Sequence, residues 1–120
     1  MKKASLISMV GVLAVALTGS AQADCNFPKA PDSIPDGKTA SEQDMISAMS
    51  AFKQYNTEVD AYLSCLDTET EAKVKEAGAA SAIMQLKAIQ QKKRSSASDE
   101  RQAKVNTFNE QVRAFKARKS

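Results

Sequence analysis

From Lys38 to Ser120 the chain carries one glycine, Gly78, and no proline. Glycine ends helices through its backbone freedom and proline through its missing N–H, so a segment this bare of both can run as two long helices with one reversal. The apolar pattern agrees. Met45, Met49, Phe52, Asn56, Val59, Leu63 and Leu66 follow one another in steps of four and three, widened by Ile46, Ala48, Tyr55 and Tyr62, which is the spacing of one helix face. Ile83, Leu86 and Ile89 open a second stripe, and Val105, Phe108, Val112 and Phe115 close it.

Two capping boxes compete for the first helix start, Thr39 with Glu42 and Ser41 with Asp44, so the helix should begin near Ala40. The reversal falls between Asp67 and Ala80, with Gly78 as the strongest terminator and Thr68 with Glu71 as an earlier restart. Gln90 to Gln102 is polar throughout but lacks proline and glycine, and it reads as continuous helix rather than loop. A turn centred near Ala77 predicts facing residues whose numbers sum to about 154, in helices of about 40 residues or about 60 Å. Met45 then meets Phe108, Met49 meets Val105, and Phe52 and Tyr55 face Ala97, Ser98 and Ala103. The expected fold class is all-α: an antiparallel, coiled-coil-like two-helix hairpin over residues 40–120.

The N-terminus has Lys2 and Lys3, an apolar run from Leu6 to Leu17, and Ala21-Gln22-Ala23, the pattern of a secretory signal peptide over residues 1–23 cleaved after Ala23. That run is short of the roughly 17 to 25 residues that span a bilayer. Asp24, standing where a lipobox needs a small residue, argues against lipid attachment at Cys25. The expected location is the periplasm.

Cys25 and Cys65 are the chain's two cysteines, and an even pair in an exported chain is expected to form an intramolecular disulfide. Cys65 lies about 25 residues, roughly 37 Å, along the first helix. Residues 24–39, with Pro28, Pro31 and Pro35, must therefore be nearly extended, at about 3.1 Å per residue, for Cys25 to reach it. "IPDG" at Ile34 to Gly37 is a turn-type sequence that reverses the chain into the helix. The prediction is an N-terminal strap lying antiparallel to the first helix, with Phe27 and Ile34 packed on the groove.

Without its leader the chain has 15 basic and 14 acidic residues, which argues against a nucleic-acid partner. The charges are unevenly placed: Asp24 to Glu76 has 11 acidic and 5 basic residues, and Ala77 to Ser120 has 3 and 10. Antiparallel helices would set these halves side by side. Phe115 among Lys116, Arg118 and Lys119 leaves peripheral contact with an anionic membrane as a secondary reading, behind cations that complement a helix C-terminus.

The chain contains no histidine, so the usual general base, metal imidazole and triad partner are missing and a two-cysteine zinc site fails. Glu58 with Asp60, and Glu69 with Glu71, read as solvated carboxylates; Asp67 to Glu71 lacks the spacing of a calcium loop. No catalytic residue, cofactor or metal site is expected. The candidate interaction face is Met45, Met49, Phe52, Tyr55, Val105, Phe108, Val112 and Phe115.

Through Cys25-x-x-Pro28, Ile34-Pro-Asp-Gly37, Tyr62-x-x-Cys65-Leu66 and Phe108-Asn-x-x-Val-Arg-Ala-Phe-Lys116, the mature chain resembles a group of small uncharacterised exported proteins of proteobacteria. The resemblance implies a periplasmic helical protein with one disulfide and transfers no activity. The functional expectation is a non-enzymatic envelope module that self-assembles or binds an envelope protein. A holdase-like chaperone using its adaptable methionines is the alternative.

Overall fold

The computed structural model describes residues 25–119, so the expected signal peptide lies outside the described residues. The chain forms α1, Glu42–Ala77, and α2, Ala80–Lys119, packed as an all-α antiparallel hairpin. Of the two capping boxes the second is used. Ser41 Oγ accepts from Asp44 N at 3.1 Å, and Asp44 Oδ2 accepts from Ser41 N at 3.4 Å. These bonds satisfy backbone donors that a helix start leaves without partners.

Gly78 ends α1 with φ 66° and ψ −41°. Ala79 N donates to Ala77 O at 2.7 Å across it, a γ-turn whose positive φ strains any residue with a Cβ. The polar stretch from Gln90 to Gln102 is continuous helix, as expected.

The register differs from expectation. Phe52 stacks on Phe108 with ring centroids 4.6 Å apart, and Asp60 bridges Arg101, Asp67 bridges Arg94 and Glu42 bridges Lys119. Facing residues therefore sum to 160 or 161, and Met45 does not meet Phe108. The turn sits at Gly78 and Ala79 rather than near Ala77, which moves the sum by about three. The remaining offset is one step of the helical repeat, because side chains point into a seam only every three or four residues.

Met45, Phe52, Tyr55, Val59, Tyr62 and Leu66 of α1 are buried, against Gln90, Ala97 and Phe108 of α2. The imbalance arises because α1 is covered twice, by α2 along the seam and by the strap along one flank of that seam. Cys25 and Cys65 form the disulfide, with Cα atoms 5.8 Å apart. Phe27 packs edge-on against Tyr62 at 5.4 Å, though half exposed, and Ala30 and Ile34 pack against the core.

At its other end the strap docks on α2. Gly37 N donates to Gln111 Oε1 at 2.9 Å, and Arg118 donates to the carbonyls of Lys38 and Ala40 at 2.8 and 2.7 Å. Asp36 closes the turn, its carboxylate accepting from Lys38 N and its carbonyl from Ala40 N. A Cβ on Gly37 would stand 1.9 Å from the carbonyl oxygen of Gln111. Glycine is thus required here for closeness of approach, and at Gly78 for its dihedral angle.

Two stability tests follow from this geometry. Gly37→Ala should destabilise the protein by about 1–3 kcal/mol, because backbone must move aside; Gly78→Ala, which meets open space, should cost about 1 kcal/mol of backbone strain. Reduction of the disulfide should lower stability by about 4 kcal/mol for a loop of about 40 residues on the chain-entropy account. Thermal and denaturant melting check both, and equal melting with and without reductant contradicts a clamping role for the strap.

Candidate interaction surface

The strap occupies one flank of the hairpin. It meets α1 at Tyr62 and Cys65, and Glu58 and Ala61 line a groove beside it with Asn26, Phe27, Pro28 and Lys29. Residues two apart on a helix lie about 200° around it. Asp60 and Asp67 therefore belong to the opposite flank, which no segment among the described residues covers. Two shallow grooves run between the helices there. One is lined by Asn56, Asp60, Ser98, Arg101 and Val105, the other by Leu66, Asp67, Thr70, Lys87, Gln90 and Arg94.

The Asp60–Arg101 pair, 2.6 Å, and the Asp67–Arg94 pair cross this open flank. Arg94 also donates to the Leu63 carbonyl at 3.3 Å. Both aspartates remain largely exposed, at 70% and 69% of the side chain, so these bridges stay in contact with water and each contributes modestly.

Gln90 is the polar residue that sequence reasoning did not single out. It is 5% exposed, and its Nε2 donates to Thr70 Oγ1 at 3.1 Å while that hydroxyl donates to Leu66 O at 2.7 Å. Its Oε1 has no partner among the described residues, and leaving a buried acceptor unpaired costs about 1–3 kcal/mol. The only sequence signal was position: Gln90 continues the stripe of Ile83 and Leu86 toward Ala97.

On the strap flank, Glu69 pairs with Lys73 and its Oε2 lies 3.5 Å from Cys25 Sγ. A disulfide sulfur has no proton to donate, so the latter is a contact. The Lys73 hydrogen bond holds the Glu69 carboxyl below the ordinary glutamate range against the opposing effect of burial, helped by Gln90 and the Lys93 charge. Burial raises the Tyr62 phenol above its ordinary value, and the Glu69 charge adds to it; burial and Glu100 raise Tyr55, against Arg101.

The eight residues expected as an interaction face are divided between core and surface. Met45, Phe52, Tyr55 and Phe108 lie in the hairpin core, and Val105, Val112 and Phe115 are half-buried against it. Met49 stands out at 45% exposed, with Ile46 beside it at 51%. The spacing that marks a helix face does not say how far round that face its neighbours reach. Phe115 lies beneath Arg118 and Lys119, 4.9 and 4.8 Å from the ring centroid.

Among the described residues no group of three or more His, Cys, Asp or Glu is placed to hold a metal, and no helix is long and apolar enough to cross a membrane. Glu69 and Asp60, one from each carboxylate couple noted in the sequence, are engaged with Lys73 and Arg101. What fold and surface define is a disulfide-clamped helical hairpin with one covered flank and one open flank. Comparison with protein families, curated proteins and solved structures finds no match for this chain.

The Glu69 environment sets a pH dependence. Its carboxyl is lowered in the folded state, so the unfolded chain binds the proton more readily. The resulting stability is present above the unfolded glutamate value, about 4.3, and is lost as pH falls through the folded value. Glu69→Gln should lower the melting temperature at neutral pH, with the difference from wild type shrinking as pH falls below the ordinary glutamate range. A difference of constant size across that range contradicts the assignment.

Proposed function

We propose that this is a non-enzymatic, exported protein of the cell envelope, a structural or partner-binding hairpin that works by presenting a helical flank to another polypeptide. The observation that carries this reading is the unequal treatment of its two flanks. The strap is bonded across one, leaving only a groove alongside itself there. The other keeps two open grooves between the helices, with Met49 and Ile46 exposed near its base.

Export and a periplasmic location are supported by the leader pattern of residues 1–23 and by the Cys25–Cys65 bond, which suits an oxidising compartment. The resemblance to small exported proteobacterial proteins points the same way. A clamped hairpin also suits a rigid recognition element, since it loses little conformational entropy of its own on binding.

The test is site-specific photo-crosslinking in cells. A crosslinker in place of Met49 or Gln102, on the open flank, should give discrete protein adducts, whereas one in place of Lys29, on the strap, should not. Absence of adducts from both open-flank positions overturns the reading. Broad suppression of client aggregation by the purified protein also overturns it, in favour of a holdase. N-terminal sequencing of the exported protein should begin at Asp24.

A further inference from the structure

We propose that the open flank is closed by a second copy of this chain, the two hairpins lying turn beside turn, so that α1 of each packs against α2 of the other. The inference rests on the preceding reading and names the partner. Charge decides the arrangement. α1 carries eight acidic and three basic residues, net −5, and α2 carries three acidic and ten basic, net +7.

Two-fold packing of these flanks has two solutions. With the turns at opposite ends, α1 lies on α1 and α2 on α2, setting like charges together along the whole length. With the turns together, each helix borders only helices of opposite sign. The second solution is favoured wherever side chains meet at close range.

Size and register support it. The flank is about 54 Å long for a 36-residue helix and about 20 Å across two helices, about 1,000 Å² per chain. That reaches the roughly 800 Å² per partner of a stable interface. Hairpins aligned at their turns repeat between copies the register seen within one, in which facing numbers sum to 160 or 161. Met49 then meets Val112 of the other copy, Asn56 meets Val105, and Leu63 meets the small Ser98, large against small across the seam. Asp60 and Asp67, still about 70% exposed in their present pairs, stand opposite the other copy's Arg101 and Arg94.

The experiment is sedimentation of the purified, oxidised exported protein, with crosslinking between differently tagged copies. Wild type should sediment at twice the chain mass at micromolar concentration. Met49→Asp should weaken association at least tenfold while keeping wild-type helicity, and Lys29→Glu, on the strap flank, should leave it unchanged. In mixed variants that keep the Cys25–Cys65 bond and carry one added cysteine each, a bismaleimide should join Asn56→Cys of one tag to Val105→Cys of the other. A monomer at all concentrations overturns the inference, as does a dimer indifferent to Met49→Asp or one joined α1 to α1. A monomer that still gives a discrete heterologous adduct from Met49 in cells overturns the second copy while leaving the proposed function standing.

Discussion

Two packed helices have only one seam, and every other feature of this molecule answers to that shortage. A helical unit of under 100 residues, such as the described residues 25–119, buries too small a fraction of its surface for one seam to suffice. The Cys25–Cys65 bond supplies a third layer by holding the strap along α1. With the strap along its flank, α1 is covered on two adjoining faces, and Val59 and Leu66 are almost completely buried. At the far end Gly37 brings the strap backbone against that of α2, so the strap ties both helices together.

The same device leaves the molecule two-faced. Because the strap takes one flank, the other is closed, among the described residues, by ion pairs and half-buried side chains. Acidic α1 and basic α2 suit each other within the hairpin, and that complementarity is available again to any neighbour presenting the same pair of helices. The proposed assembly role therefore rests on architecture rather than on a motif. No residue constellation beyond the disulfide was needed to reach it.

Much of the fold was legible in the sequence because it depends on local signals. The capping residues, the lone Gly78 and the apolar steps each act over one or two turns. The strap was legible for a different reason, since a covalent bond and a known rise per residue leave few paths between Cys25 and Cys65. The register was not legible. Stripes recurring every three or four residues fit one another almost equally well one turn along, and the choice fell to the Phe52–Phe108 stack and the bridges to Asp60 and Asp67. The candidate face was only partly legible for a related reason, in that Met45 and Met49 share a stripe while only Met49 reaches the surface.

By itself, then, the sequence determined two long helices, one reversal, and a proline-stiffened strap drawn back along the first of them. Propensity, chain length and the cysteine pair act without reference to distant neighbours. Only the tertiary structure decided which rings stack, why Gly37 must be glycine, and which flank stays open. Those outcomes compare packings that local rules leave nearly equal in energy, and side-chain contacts across the seam break the tie.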